Sequence, residues 1–305
     1  MSERITPNLT FVLAEASQTA FDAALGAIAG GRSLRVLSDN RAGSVILKDL
    51  KEGEPQGPHS HFQTLRQDYQ SRLDALGLKA DICVQNSKTA RKSLLICDMD
   101  STLIGQECID ELADFAGVKD RVSAITERAM RGEIGFEGAL EERVNLLKGL
   151  SIDVLQTCFS KRISLNAGAR ALCQTMKANG AKTAIVSGGF TFFTGRVAQL
   201  CGFDHHQANE LIQKDGTLTG TVGYPILGRE AKYAALDNFS GQNHSSALAI
   251  GDGANDLAMI EAAGLGIAYY AKPAVAAAAH CAINHTDLTT ALYFQGYRDQ
   301  DIISG

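Results

Sequence analysis

The chain has no long apolar stretch: no run approaches the roughly 20 consecutive apolar residues needed to cross a bilayer. Its opening residues, MSERITPNLT, lack a cationic segment followed by an apolar one, so we expect no secretory signal. The seven cysteines form no CxxC pair, which argues against a disulfide framework or a cysteine zinc site and for a reducing compartment. We therefore expect a cytoplasmic protein.

The chain also lacks an excess of positive charge, internal repeats and low-complexity tracts. Its net charge of -5 gives no reason to expect attraction to nucleic acid or to an anionic membrane surface. Hydrophobic residues make up 45% and charged residues 21%, as in an ordinary soluble globular protein. With 305 residues, the chain is long enough for one large domain or for two ordinary domains.

The first 86 residues are predicted to form a small α+β unit. Apolar runs and turn residues predict the order strand, helix, strand, strand, helix, strand, which is that of a ferredoxin-like fold. The polar stretch 85–92 is typical of a linker, so we predict an N-terminal domain over 1–86 and a second domain over 87–305. The predicted strands are 9–13, 34–37, 45–50 and 82–84, the helices are 17–29 and 62–76, and the turns or loops are 39–43 and 53–58.

From residue 94 onward, apolar strands alternate with helices. Such alternation predicts an α/β fold with a parallel, doubly wound sheet. A long helical insertion is predicted at about 105–165, because apolar residues there recur at helical spacing. The predicted strands are 94–97, 183–186 and 247–250, followed by an apolar segment at 266–270; the helices are 166–179, one that carries Lys232, and 256–263, and a hairpin over 210–222 turns at Asp215-Gly216.

Two aspartates that follow the first of these strands are the leading candidates for chemistry. The run Leu94–Cys97 has no polar alternation, which predicts a strand buried on both faces, and Asp98 and Asp100 come next. Open α/β sheets bind ligands at the carboxyl ends of their strands. Asp98 can attack phosphorus as a nucleophile, and Asp100 can serve as general acid and base. The alternative, a pair of solvated aspartates that cap a helix, is weakened by the buried strand.

Two further motifs offer groups that bind phosphate. Ser187-Gly188-Gly189 ends the second apolar strand, where a hydroxyl and open backbone N–H groups can hold phosphate oxygens. Lys232 can neutralise the phosphoryl charge and keep Asp98 ionised. Taken alone, the first motif is also an ordinary turn, and the second is also an exposed lysine on a helix.

An acidic, glycine-rich segment, GDGAND at 251–256, follows the strand 247–250. Its glycines allow a tight turn around Asp252, which we predict to bind a metal. Two carboxylates that face a phosphate need a compensating cation, and Mg²⁺ with oxygen ligands provides it. Asp256 is predicted to orient the waters of the metal or Lys232. A plain role at the start of a helix is the alternative for Asp256.

The helical insertion carries two charged residues that can read a substrate. Arg143 shares a helical face with Phe136, Leu140 and Leu147. It therefore either lies at the edge of an apolar stripe or faces a pocket that accepts a carboxylate. Glu107 opens the insertion close to the two aspartates, where it can pair with an ammonium group or simply favour the start of a helix.

With these motifs in place, the chain resembles the haloacid dehalogenase-like (HAD) superfamily of phosphotransferases. The four motifs of that superfamily occur in order as DMDST at 98–102, Ser187, Lys232 and GDGANDLAMI at 251–260. A closer resemblance is to the phosphoserine phosphatase family, and it rests on Glu107, Met130, Phe136 and Arg143, with VSGGF at 186–190 and Asn255. It covers nearly the whole chain from Leu94 onward.

The resemblance implies a function and a set of roles. It implies Mg²⁺-dependent hydrolysis of O-phospho-L-serine to L-serine and phosphate through an aspartyl-phosphate, the last step of serine biosynthesis. Asp98 would be phosphorylated and Asp100 would be the general acid and base. Mg²⁺ would be held by the side chains of Asp98 and Asp252 and by the backbone carbonyl of Asp100. Substrate would be bound by Glu107 and Arg143 at its amino and carboxyl groups, and by Phe136, Ser187, Gly188, Lys232 and Asn255.

The N-terminal unit resembles an amino-acid-binding regulatory domain of the ACT type in its element order alone. No ligand-loop signature accompanies that order. The oligomeric state is open at this stage, and a homodimer is compatible with the sheet edges that a ferredoxin-like unit offers for pairing.

Two alternative functions stay open. A related phosphatase or phosphotransferase for another small phosphorylated metabolite would share the core motifs and differ in how it uses Glu107 and Arg143. A sensor that is switched by phosphorylation of Asp98 would need neither Asp100 as an acid nor an inserted cap with an arginine on its apolar face. A phosphate that persists on Asp98 for hours would favour the sensor.

Overall fold

The structure is a computed structural model, and it describes residues 6–47, 58–87 and 91–304. Within these ranges the fold contains a four-stranded sheet, a six-stranded sheet and a two-stranded hairpin. The predicted loop at 53–58, apart from its last residue, and the end of the strand predicted over 45–50 lie outside the described residues. No helix in the described ranges is long and apolar enough to cross a membrane.

The N-terminal elements follow the predicted order. They are β1 (Pro7–Leu13), α1 (Gln18–Ala29), β2 (Leu34–Ser38), β3 (Ala42–Ile46), α2 (Pro58–Ala75) and β4 (Ala80–Asn86). The strands pair antiparallel in the order β2-β3-β1-β4. Ser17 accepts a hydrogen bond from the amide of Ala20 at the start of α1, and Gly30 ends that helix in the left-handed region at φ 50°.

Strand β3 begins earlier than predicted. Its pairing with β1 extends to Val12↔Ala42, so Ala42 and Gly43 belong to the strand and not to the turn predicted over 39–43. The turn is shorter because Asn40 adopts φ 56°, a left-handed conformation that asparagine tolerates and that reverses the chain within few residues.

The rest of the chain builds a parallel sheet, as predicted. Its strands pair in the order β12-β11-β10-β5-β6-β7, and every pairing is parallel. In chain order the elements are β5 (Leu94–Cys97), α3 (Cys108–Phe115), α4 (Lys119–Met130), α5 (Phe136–Asn145), α6 (Asp153–Arg162), α7 (Ala169–Ala178), β6 (Lys182–Phe190), α8 (Thr191–Cys201), β7 (His205–Asn209), the hairpin β8 (Leu211–Lys214) and β9 (Thr217–Val222), α9 (Arg229–Ser240), β10 (Ala247–Gly251), α10 (Leu257–Ala262), β11 (Leu265–Tyr269), α11 (Pro273–Ala278), β12 (Cys281–Ile283) and α12 (Thr290–Phe294).

Two predicted helices begin at different residues. The helix predicted over 166–179 starts at Ala169, because Gly168 before it has φ 80° and cannot belong to a right-handed helix. The helix predicted over 256–263 is a 3₁₀ turn, Ala254–Asp256, followed by α10.

The parallel sheet is buried on both faces, which makes it doubly wound. Leu95 of β5 packs into a core with residues of α7, α8 and α12, whereas Ile96 packs into a second core with residues of α9, α10 and α11. Burial on both sides is the reason that β5 and β10 are continuous apolar runs without polar alternation.

Three strands of this sheet end side by side. Cys97 of β5 lies in register with Ile185 of β6 and with Ile250 of β10. The segments that follow these strands therefore meet at one edge of the sheet. Helices α3–α6 follow β5 in the chain, and the amide of Gly149 after α5 donates a hydrogen bond to the Leu218 carbonyl of β9 at 2.9 Å.

The N-terminal sheet packs closely on the second sheet, and the predicted linker 85–92 is wrong for its first two residues, which belong to β4. Gln85 belongs to β4 and is buried, with its side-chain amide donating to the Phe294 carbonyl. Lys92 is also buried, and its backbone amide donates to the Gln295 side chain at 3.0 Å. Residues 88–90 lie outside the described ranges. Polar side chains suggested solvation here, but the Gln85 amide donates to the Phe294 carbonyl and Lys92 Nζ donates to the Ser245 carbonyl at 3.1 Å.

Candidate active site

Asp98 lies at the start of the loop that follows β5, and the structure holds its carboxylate from two sides. The amide of Met99 donates to Asp98 Oδ1 at 2.7 Å, and Lys232 Nζ lies 2.8 Å from Asp98 Oδ2. Asp98 is 5% exposed, so the lysine contact is largely shielded from water. A carboxylate fixed in this way is oriented to act as a nucleophile.

Lys232 is buried, so the alternative of an exposed lysine on a helix is wrong. Its side chain is 1% exposed, and Nζ also lies 2.6 Å from Asp256 Oδ1. Burial alone would lower the pKa of Lys232, but the charges of Asp256 and Asp98 outweigh it and raise that pKa above its ordinary value. Lys232 therefore keeps its charge between two carboxylates, and Asp256 contacts it as predicted.

The carboxylate of Asp100 points away from Lys232. The amide of Cys108 donates to its Oδ1 at 2.9 Å, and Ser187 Oγ lies 3.3 Å from its Oδ2 as a donor. Burial, followed by the nearby charge of Asp98, raises the pKa of Asp100 to about 6. A carboxyl group that titrates close to neutral pH can both give and take a proton, which is what a general acid and base requires.

Three carboxylates converge beside Lys232, two of them from the predicted metal ligands and the third from Asp256. Single oxygens of Asp98, Asp252 and Asp256 lie within 4.8 Å of one another. Thr102 Oγ1 donates to Asp252 Oδ1 at 3.0 Å. Burial, and then the charge of Asp98, raise the pKa of Asp252 to about 6. Hard oxygen donors with this excess of negative charge fit a divalent cation.

At two glycines, the main chain lies so close to a carboxylate of the site that a side chain would not fit. A Cβ atom on Gly251 would lie 2.3 Å from Asp256 Cγ, and one on Gly189 would lie 2.4 Å from Asp100 Oδ2. Both glycines therefore serve close approach of a carboxylate to the main chain. Asn255 lies in the 3₁₀ turn beside Gly253, and it is half-buried at the same edge of the sheet.

Glu107 reaches the same cleft from the start of α3. It accepts a hydrogen bond from Ser101 Oγ at 2.6 Å, and Ser101 itself has φ 54°. Although part of Glu107 is open to solvent, desolvation in the cleft and then the charge of Asp100 raise its pKa to about 8. An ammonium group beside Glu107 would reverse this shift, because it favours the ionised carboxylate.

Arg143 is half-buried within the inserted helices. Its Nε donates to the Ala139 carbonyl at 3.1 Å and its Nη1 to Thr126 Oγ1 at 3.5 Å. Desolvation lowers the pKa of Arg143, while the charges of Asp110 and Glu107 act in the opposite direction. These contacts hold the guanidinium inside the inserted helices, and its choice between the edge of an apolar stripe and a pocket for a carboxylate stays a prediction.

Phe136 and Met130 connect the inserted helices to the loops of the parallel sheet. Phe136 Cζ lies 3.0 Å from the position that a Cβ on Gly188 would take, and Phe136 Cδ1 lies 3.2 Å from the same position on Gly228. Lys272 Nζ lies 3.7 Å from Met130 Sδ. The inserted helices therefore lie against the segment that carries Ser187 and Gly188.

Several residues of the site were not predicted from the sequence. Thr102 was part of a motif but had no role, and nothing in the sequence marked Asp110, Thr126, Gly228 or Asn209. Each acts through a neighbour that is distant in the chain, so neither periodicity nor local motif could reveal it. A glycine followed by the start of a helix was the only available signal for Gly228.

The chain matches the haloacid dehalogenase-like hydrolase family over residues 95–261, and a second family of the same description over residues 231–293. The first match covers more than half of the 305 residues. The chain therefore belongs to the haloacid dehalogenase-like hydrolases.

Within that family, the chain is a homologue of phosphoserine phosphatases. It is 48% identical to the phosphoserine phosphatase of Archaeoglobus fulgidus, in an alignment that covers 66% of this chain and 60% of that protein. It is 46% identical to the phosphoserine phosphatase of Polaromonas sp., over 70% of this chain and 93% of that protein. The chain thus spans less than two thirds of the length of the first relative and nearly all of the second.

A solved structure supports the same assignment over most of the chain. A probable phosphoserine phosphatase from Vibrio cholerae superposes with a TM-score of 0.74 at 30% identity, and the match covers 95% of this chain and 86% of that one. The match includes the N-terminal sheet as well as the parallel sheet, since 95% of the chain cannot be covered without it.

Proposed function

We propose that this protein is a Mg²⁺-dependent phosphatase that hydrolyses O-phospho-L-serine to L-serine and phosphate, the last step of serine biosynthesis. The observation that carries the proposal is the buried arrangement of Lys232 between Asp98 and Asp256, with Asp100 and Ser187 beside it. The named relatives supply the substrate, because they are phosphoserine phosphatases.

In the proposed mechanism, Asp98 attacks phosphorus in line and the seryl oxygen leaves. Lys232 holds Asp98 ionised and offsets charge on the phosphoryl oxygens. Asp100 gives its proton to the departing seryl oxygen. The same carboxylate then takes a proton from water, which attacks the aspartyl-phosphate and releases phosphate, so Asp98 is regenerated.

The metal we propose is Mg²⁺, held by the side chains of Asp98 and Asp252 and by the backbone carbonyl of Asp100. When bound, the ion neutralises charge between these carboxylates and the phosphate. The carboxylate of Asp100 is turned toward Cys108 and Ser187, which is compatible with a contribution through its carbonyl. Asp256, the third carboxylate of the cluster, remains free to orient Lys232.

We propose two ends for the substrate pocket. Ser187, Gly188, Lys232 and Asn255 would contact the phosphate at the edge of the sheet. Glu107 would pair with the substrate ammonium, Arg143 with its carboxylate, and Phe136 would cover it. A site with a partner for each charge rejects analogues that lack one, because the unmatched protein group stays desolvated.

We also propose a domain organisation, a location and an oligomeric state. The inserted helices at about 105–165 would act as a cap that excludes bulk water during the reaction. Residues 1–86 would form a ferredoxin-like, ACT-like domain and 87–305 the phosphatase domain. We propose a cytoplasmic location and a homodimer that pairs through a sheet edge. Light scattering on the purified chain tests the dimer, since a monomer mass at micromolar concentration would contradict it.

The test of the function is phosphate release from O-phospho-L-serine, with and without Mg²⁺, beside O-phosphothreonine and p-nitrophenyl phosphate. Strong Mg²⁺-dependent preference for phosphoserine is the expected result. Release from p-nitrophenyl phosphate alone would retain the Asp98 mechanism and assign the natural substrate to another phosphorylated metabolite. No release from any ester would contradict the proposal.

A further inference from the structure

The pairing of β6 with β7 is interrupted where β6 reaches the site. Val186 pairs with Gln207, but the next pair is Phe190 with Asn209, so four steps along β6 are matched by two along β7. The three residues Ser187–Gly189 thus face a single residue of β7, an excess of two, and they form a bulge in β6. A bulge separates backbone groups from their ladder partners, and a buried carbonyl must then find another donor.

The side chain of Asn209 supplies that donor. Its Nδ2 donates to the Gly188 carbonyl at 2.8 Å and to the Leu227 carbonyl at 3.3 Å. Its Oδ1 accepts a hydrogen bond from the Leu227 amide at 2.7 Å. Asn209 is 2% exposed, so these bonds are shielded from water. Among the described residues, no other side chain bonds the Gly188 carbonyl or the backbone of Leu227.

The two segments joined by Asn209 both belong to the site. Gly188 follows Ser187 in the bulge, whereas Leu227 precedes Gly228 and the helix α9 that carries Lys232. Gly188 and Gly228 also contact opposite parts of the same ring, that of Phe136. The bonds of Asn209 therefore set the distance between the bulge and the start of α9, and with it the position of the Phe136 ring between them.

We infer that Asn209 is a positioning residue for the phosphate end of the site. This inference rests on the proposed function, since it assumes that the bulge holds the phosphoryl group. Asn209 contacts no reacting group itself. By holding the Gly188 peptide, it sets the direction of the backbone groups of the bulge, and small displacements of such groups reduce transition-state stabilisation strongly.

The test compares the wild-type protein with Asn209→Leu, which removes all three hydrogen bonds at similar volume. Because the phosphate end is common to all esters, we expect kcat/KM to fall by about 10- to 100-fold for O-phospho-L-serine and p-nitrophenyl phosphate alike. Competitive inhibition by orthophosphate should weaken by about tenfold or more. A control is Thr183→Val on the neighbouring strand β6: it removes two partly buried hydrogen bonds between the Thr183 hydroxyl and Asp204. That change should lower Tm and leave orthophosphate inhibition within about twofold.

If Asn209→Leu fails to fold, Asn209→Asp takes its place, because it keeps the shape and the acceptor for Leu227 while losing both donors. Orthophosphate binding in the presence of Mg²⁺, measured by titration calorimetry on the folded variants, gives a readout that does not depend on turnover. Wild-type affinity in either folded variant overturns the inference. A wild-type protein that binds phosphate but hydrolyses no ester would instead refute the proposed function. In that case the orthophosphate affinities of the variants alone would decide whether Asn209 positions the phosphate end of the site.

Discussion

Replacing Lys232 by methionine should destabilise the protein in a pH-dependent way. The substitution keeps the length of the side chain and removes the charge that lies 2.8 Å from Asp98 and 2.6 Å from Asp256. Both carboxylates are buried, so each loses its cation without gaining water. Breaking a buried ion pair from one side costs about 3–5 kcal/mol in the free energy of unfolding, and we expect a loss in that range near pH 7.5.

The sign of the pH dependence follows from Asp256. Burial is the largest cause that raises its pKa to about 7, while the charge of Lys232 is the largest that opposes it. Without Lys232, the pKa of Asp256 should rise further above the unfolded value of about 3.9. Both proteins fold with a proton taken up at Asp256, but the variant does so at higher pH. Its deficit therefore grows as pH rises above about 7 toward the raised pKa of the variant, and it is smallest and constant below pH 7.

Urea denaturation at pH 7.5 and pH 9, with chelator present, measures this deficit, which should be larger at pH 9. The matched control is Lys177→Met, which removes an exposed partner of Asp204 and should cost less than about 1 kcal/mol at both pH values. With Mg²⁺ added, kcat of the Lys232→Met variant should be lower by about 100-fold or more, because the phosphoryl charge loses a buried donor. A deficit below about 1 kcal/mol, or one independent of pH, would refute the reasoning.

Three other predictions follow from single contacts of the site. Arg143→Ala should reduce kcat/KM for O-phospho-L-serine by about 100-fold and for p-nitrophenyl phosphate by far less, because only the former has a carboxylate; equal losses would contradict the pocket assignment. Gly189→Ala should lower kcat by about tenfold or more, since its Cβ would lie 2.4 Å from Asp100 Oδ2. Gly138→Ala, with open space around it, should leave kcat unchanged. Wild-type activity in Gly189→Ala would show that the close approach of this glycine to Asp100 is not needed. Mg²⁺ at 100 times its Kd should add about 2.7 kcal/mol of stability, seen as a rise in Tm, and Asp252→Asn should abolish most of it; an unchanged rise would place the ion elsewhere.

The parallel sheet and its reactive edge could be predicted because their signals are local. A strand buried on both faces must be apolar throughout, and the residue that follows it lies at the ligand-binding edge by topology alone. Asp98, Asp252 and Ser187 could thus be placed before any coordinates, since each directly follows such a strand or ends it. The inserted helices could be recognised from their spacing in the same way.

The contacts across the chain could not be predicted. Asn209 ends an ordinary-looking strand, and its importance depends on a bulge in β6 that only pairing reveals. Gln85 and Lys92 have polar side chains, and a polar stretch indicates solvation unless its partners are known. Here the partners are the carbonyls of Phe294 and Ser245, distant in the chain, so Gln85 and Lys92 are buried where the sequence suggested a linker.

The site also shows why a protein of this class depends on a cation for more than chemistry. Asp98, Asp252 and Asp256 bring three carboxylates within 4.8 Å of one another, and Lys232 is the one cation within salt-bridge distance of them among the described residues. Thr102 and the amide of Gly253 donate hydrogen bonds to Asp252 and Asp256, but they carry no net charge, so the excess of negative charge remains. Burial is the main cause of the raised pKa values of Asp252 and Asp256, and the charge of Asp98 adds to it. A divalent ion that balances the excess of negative charge stabilises the fold and sets the charge needed for phosphate binding, so the affinity of the protein for the metal and its affinity for phosphate should rise together with pH between about 5 and 7.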